Sequence, residues 1–245
     1  MNTKDKNFPM RIAKRIAASG FCSRRQAERY IQLEKVSVNT KIITSLSTQI
    51  NKNDKIIIDG KILKSIPNTK LFMFNKPKGC IVSESDPQNR KTIYDLINNK
   101  NERLMYIGRL DYNSEGLLLL TNNGMLKRYF ELPKNNIERT YKVKVHGNIK
   151  NINKKQLYKG MNINGVFYGR IFVNVIENNL KTSWVEIKLN EGKNREIRKV
   201  FNYFGLKVND LIRTNFGPYR LGSLEKEKIK ECKINYNILK KVNID

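Results

Sequence analysis

The chain has little of what many enzymes depend on. Its 245 residues contain one histidine, His146, and three cysteines, Cys22, Cys80 and Cys232. The cysteines are odd in number, far apart and never spaced as CxxC, which excludes a disulfide framework and a thiolate zinc site. They read as reduced and structural. His146 lies in VKVHGN, at what reads as a strand end, so a histidine-dependent mechanism has one candidate and no partner nearby in sequence. No run approaches the ~20 apolar residues of a membrane span. The N-terminus MNTKDKNFPM lacks the apolar stretch of a signal peptide, and the expected compartment is the cytoplasm, away from membranes. Neither GxGxxG nor P-loop spacing occurs, and no nucleophile elbow or acid pair supports a small-molecule hydrolase.

Acidic residues are scarce too. Asp and Glu number 22 against 48 Lys and Arg, a formal charge of +26. An excess of that size attracts polyanions at long range, and nucleic acid is the expected partner. A bias toward Asn, Ile and Lys would place Lys on any solvated face, but it does not explain clustered Arg. The length suits one medium core and a small accessory domain.

The periodicity predicts a first helix from Pro9 to Gly20, with Ile12, Ala13, Ile16 and Ala17 on one face and Arg11, Lys14 and Arg15 on the other. Ser23 and Gln26 have capping-box spacing and start a second helix carrying Arg24, Arg25 and Arg29. An alternating run with Val36 and Val38 reads as a short strand, and Asp59-Gly60 between two apolar runs is a hairpin signal. SIPNTK, residues 65–70, reads as a linker. The expected division is a small basic module over 9–66, a larger domain over 70–232 and a charged tail over 233–245.

In the larger domain, IGRLDYNSEGLLLLTNNG holds Asp111 in a polar loop just before the apolar run Leu117–Leu120, with Asn123-Gly124 leading into a helix. Tyr141, Val143 and Val145 share one face of an alternating strand. A helix over Asn194 to Phe204 would bury Ile197, Val200, Phe201 and Phe204, leaving Arg195, Arg198 and Lys199 toward solvent or a cleft. By spacing alone, Asp111 is an ordinary loop cap.

SGFCSRRQAERYI with VSVN resembles the S4 RNA-binding domain. GRLD followed by Ser, Gly and an apolar strand resembles the catalytic loop of the RsuA/RluB group of pseudouridine synthases. FNKPKGCIVSESDP, ERTYKVKVHG, LNEGKNREIRKVFNYFG and LIRTNFGPYRLGSL agree with that group in order and content. The resemblance implies an α+β fold: an S4 domain of two helices and short strands, then a catalytic domain with a mixed, mostly antiparallel sheet flanked by helices. It implies Asp111 as the essential carboxylate, Tyr141 as the aromatic beside it and Arg198 as its basic partner, able to pair through its N–H donors. Arg109 is implied to enter the space left by an extruded base, and Ile197 to be a substrate-binding position. Lys14, Arg15, Arg24, Arg25 and Arg29 are the implied RNA contacts, while Asn75, Lys76 and Pro77 are chiefly structural. Asn123 stands where many relatives have Asp.

The implied reaction isomerises a uridine of ribosomal RNA, free or in a pre-ribosomal particle, with no cofactor and no metal, by a monomer. EGKNREIRK is closer to the RluB branch, which modifies large-subunit rRNA, than to the small-subunit RsuA branch. An S4-type assembly factor without activity is the competing expectation.

Overall fold

The computed structural model describes residues 8–97, 102–179 and 181–243. The N-terminal module has its own apolar core, formed by Ile12, Ile16, Ala27, Ile31, Val36, Ile56 and Ile58 with their neighbours. The first helix spans Ile12–Ala18, shorter than the expected 9–20. Met10 and Arg11 are extended instead and pair antiparallel with Gln49 and Ile50, a sheet contact that local periodicity does not reveal. The second helix, Arg24–Gln32, carries the expected capping box: Ser23 accepts from the Gln26 N–H and Gln26 accepts from Ser23. Four short strands follow, ordered Lys41–Ile42, Val36–Val38, Ile56–Ile58 and Lys61–Ile62. The last two join through Asp59 and Gly60, both at positive φ (49° and 76°), the conformation a two-residue hairpin requires.

Residues 69–70 of the linker are pinned to the larger domain. Lys70 N–H donates to Asn122 Oδ1 at 2.9 Å, and Asn123 Nδ2 donates to Thr69 Oγ1 at 2.8 Å. Beyond them lies a nine-stranded sheet whose main order is Ile171–Asn178, Thr182–Leu189, Arg139–His146, Lys207–Phe216, Glu115–Thr121, Leu71–Lys76 and Ile229–Cys232. All its pairings are antiparallel except that of Lys207–Phe216 with Glu115–Thr121. The fold is α+β, with a mixed, mostly antiparallel sheet.

Leu117 to Leu120 are completely buried because this strand is covered on both faces. Leu118 and Leu120 enter the main core, while Leu117 and Leu119 join Leu126, Phe130, Phe216 and Ile238 on the other side. The helix Gly124–Glu131 starts at Asn123, whose side chain accepts from the Met125 and Leu126 N–H groups. Within 233–245 a helix forms over Tyr236–Val242, and its Ile238 packs into this second cluster. Apolar residues at two spacings within a charged stretch were too few to mark that helix in the sequence.

Candidate active site

The central strand Lys207–Phe216 has Arg139–His146 on one side and Glu115–Thr121 on the other. That order brings together three segments far apart in sequence: the Asp111 loop, the strand bearing Tyr141 and the helix Glu196–Tyr203, which precedes the central strand. Asp111, Arg109, Tyr141, Arg195, Ile197 and Arg198 line one cavity.

The Asp111 loop is held from beneath by a buried ammonium. Lys76 has no solvent exposure. Its Nζ donates to the carbonyls of Pro77 at 2.9 Å, Asp111 at 3.1 Å and Ser114 at 2.9 Å, which uses all three of its N–H donors. Burial pulls its pKa down, and nearby Cys80, Asp111 and Glu115 act in the opposite direction. The Ser114 N–H closes the loop onto the Asp111 carbonyl at 3.0 Å. Gly116 then lets the chain run against the central strand: at φ 102°, a Cβ there would lie 2.4 Å from the Arg213 carbonyl oxygen. No larger residue fits that approach.

Two guanidiniums face the Asp111 carboxylate, whose side chain is 31% exposed: Arg195 Nη1 at 3.5 Å and Arg198 Nε at 3.9 Å from Oδ2. Arg195 is the nearer of the two, although Arg198 alone was the expected partner. The reason is local geometry. Arg195 is not part of the helix but its N-cap, at φ 52° and ψ 31°, and this left-handed turn swings its side chain over the pocket. Arg195 is half exposed, so water screens its attraction to roughly 0–1 kcal/mol. Arg198 is 14% exposed and also acts as a strap, with Nη1 donating to Val208 O at 2.8 Å and Nη2 to Asn113 O at 3.0 Å. Burial lowers its pKa, Arg195 adds to the lowering, and Asp111 and Asp210 oppose it.

Tyr141 is 8% exposed and lines the pocket wall. Its neighbour across the strand pair is Arg213, a fully buried guanidinium that the sequence reading did not single out. Arg213 donates to Leu117 O at 2.7 Å and stacks over the Phe216 ring at 4.7 Å. Burial pushes its pKa down, and Tyr141 partly restores it. The available signal was a charged residue at an inward position between Leu211 and Phe216. Ile197 is buried at the pocket edge, while Arg109 is exposed.

In the N-terminal module, Arg24, Arg25 and Arg29 are exposed and Lys14 is half-buried. Arg15, expected as an RNA contact, is also tied to the fold. It packs against the strand end after Lys61–Ile62 and donates from Nη2 to Lys64 O at 3.0 Å, with Nη1 sealed from solvent. Burial lowers its pKa.

With this geometry defined, comparison with known proteins is informative. The sequence profile of the RNA pseudouridylate synthases matches residues 70–203, and that of the S4 domain matches residues 10–56. The chain belongs to the RNA pseudouridine synthase family. It is 42% identical over 232 residues to a Rickettsia typhi protein described as an uncharacterized RNA pseudouridine synthase, covering 95% of this chain and 94% of the relative. It is 33% identical to the ribosomal large subunit pseudouridine synthase B of Bacillus subtilis, covering 90% of this chain and 91% of the relative. A crystal structure of a pseudouridylate synthase superposes with a TM-score of 0.65 at 27% identity, covering 95% and 99% of the two chains. This pseudouridine synthase is therefore an isomerase acting on RNA, with an S4 domain ahead of its catalytic domain.

Proposed function

We propose that the enzyme isomerises a specific uridine of large-subunit, 23S rRNA, using Asp111 as the catalytic carboxylate. The observation that carries this reading is the meeting of Asp111 with Arg195, Arg198 and Tyr141 in one cavity. The reaction breaks the bond between uracil N1 and ribose C1′, turns the base and joins C5 to C1′. N1 gains a proton and C5 loses one, so no external group is consumed. Covalent attack at the ribose and stabilisation of a ribose-derived intermediate both begin from a carboxylate facing the sugar, and the exposed Asp111 edge meets that requirement. The target base must leave its stack to reach the pocket, which is easier for a loop uridine. In this reading Arg109, exposed at the cavity, fills the vacated space and Tyr141, in the cavity wall, faces the flipped ring.

The large subunit is favoured by the EGKNREIRK block and by the name of the Bacillus subtilis relative. The N-terminal helices supply docking, with Arg24, Arg25, Arg29 and Lys14 as phosphate contacts, and the protein acts as a monomer in the cytoplasm. Pseudouridine mapping in 23S and 16S rRNA from cells carrying wild-type protein, Asp111→Asn or no gene tests this. One 23S position should lose pseudouridine in the latter two strains. Loss at a 16S position would contradict the subunit assignment, and no loss anywhere would contradict the function.

A further inference from the structure

The helix Glu196–Tyr203 begins with a carboxyl group that, among the described residues, has no cation bound to it. Glu196 is 4% exposed and lines the same cavity as Asp111. Its Oε2 accepts from the Lys193 N–H at 3.0 Å, and its own N–H donates to Lys193 O at 3.1 Å, which closes the turn before the helix. Oε1 is sealed from solvent, and among the described residues no donor reaches it. The group it meets is the carboxyl of Glu191.

A buried carboxylate against a second, partly exposed one resists ionising beside it, and a single proton between them supplies the missing donor. The surroundings decide which group keeps the charge. Glu191 accepts from Gly169 N–H at 2.5 Å through Oε1 and pairs with Lys193 Nζ at 2.5 Å through Oε2. Burial works against the Glu191 charge, but these bonds outweigh it and hold the group below the usual carboxylate range. Glu196 is pushed up to about 8, first by burial and then by Glu191, with Lys193 opposing. Arg139 also faces Glu196, while its guanidinium is bound to the carbonyls of Ile137 and Asn190, each at 2.8 Å.

We propose that Glu196 is a positioning residue that shares a proton with Glu191 and thereby fixes the turn presenting Arg195, Ile197 and Arg198 to Asp111. The inference rests on the catalytic reading of this pocket. The turn includes Arg195 in its left-handed conformation, which a non-glycine residue holds only when its surroundings impose it. Lys193 extends the restraint by donating to Phe167 O at 2.7 Å. When pH rises through the Glu196 pKa, the shared proton leaves, the two charges repel and the turn loosens.

Glutamine at 196 carries a permanent N–H donor where the proton sits. The test is single-turnover isomerisation at saturating enzyme on an rRNA fragment, from pH 6.5 to 9, for wild type, Glu196→Gln and Glu196→Ala. At pH 7, Glu196→Gln should match wild type within about twofold, while Glu196→Ala loses about tenfold. By pH 9 the wild-type rate should fall about tenfold relative to Glu196→Gln, as expected for one group titrating near 8. Parallel pH profiles for wild type and Glu196→Gln, or full activity of Glu196→Ala, would overturn the proposal. Thermal melting across pH provides a readout independent of activity. Because the folded pKa is raised, the stabilisation is complete below the ordinary glutamate pKa and is lost as pH rises through about 8. Wild type should therefore lose Tm relative to Glu196→Gln over that window. A pH-independent difference overturns the shared proton even if the protein isomerises no tested RNA, an outcome that would instead refute the catalytic reading.

Discussion

The two domains use arginine in opposite ways. On the N-terminal helix Arg24–Gln32, Arg24, Arg25 and Arg29 project into solvent, and among the described residues they have no partner. In the catalytic domain, Arg139, Arg198 and Arg213 each donate to backbone carbonyls, and each is wholly or largely buried. A free guanidinium suits a phosphate whose position varies along a polyanion. A strapped one suits backbone that has to be held in one place. The same side chain is thus free in one region and tied to the backbone in the other.

The largest effect should come from removing a strap that has no substitute. Lys76→Met leaves the carbonyls of Pro77, Asp111 and Ser114 without their donor. Unsatisfied buried acceptors cost about 1–3 kcal/mol each, offset in part by no longer burying an ammonium. Urea unfolding should show a net loss of about 2–4 kcal/mol. A variant as stable as wild type would show that Lys76 does not hold the loop. Arg198→Lys keeps the charge near Asp111 but cannot reach both Val208 O and Asn113 O. Its single-turnover rate should fall about 10-fold to 100-fold with RNA affinity unchanged. A wild-type rate would make charge, not geometry, the contribution of Arg198.

The smallest effect concerns a local pair in which Arg90 is half exposed and the Asp86 side chain is largely covered. The bond from Arg90 holds the Asp86 carboxyl at about 2, below its ordinary 3.8. A depressed carboxylate adds stability above its unfolded pKa and loses it as pH falls through the folded one. Melting curves of Asp86→Asn and wild type should therefore differ slightly near neutrality and converge between about pH 4 and pH 2. A constant offset over that range would show that the pair contributes nothing through ionisation.

What the sequence disclosed follows the same division. Features written in local spacing were legible: the Ser23 capping box, the Asp59-Gly60 hairpin, the buried leucine run and the outward arginines of the second helix. The assembly of Asp111 with Tyr141 and Arg198 was expected only through family resemblance, since nothing in spacing brings residues 111, 141 and 198 together. The sheet order does so. Glu196 at the pocket and the buried Arg213 beside Tyr141 were missed because burial singles them out, and Arg195, left toward solvent or a cleft, was not matched to Asp111 because a left-handed turn places it there; composition encodes neither. The bond from Arg15 to Lys64 O was not legible because helical periodicity shows which face a residue lies on, but not what later packs against it.

The division between docking and chemistry is tested most directly by comparing Asp111→Asn with a triple replacement of Arg24, Arg25 and Arg29 by alanine. For each, RNA affinity is measured across a salt series beside the single-turnover rate at saturating enzyme. Asp111→Asn should lose more than about 100-fold in rate while keeping wild-type affinity and salt slope. The triple variant should keep the saturated rate while its log–log salt slope falls by up to about 2–3, at roughly 0.7–0.9 per lost phosphate contact. A triple variant with wild-type affinity and slope but a collapsed rate, or an Asp111→Asn protein that still isomerises uridine, would contradict the account.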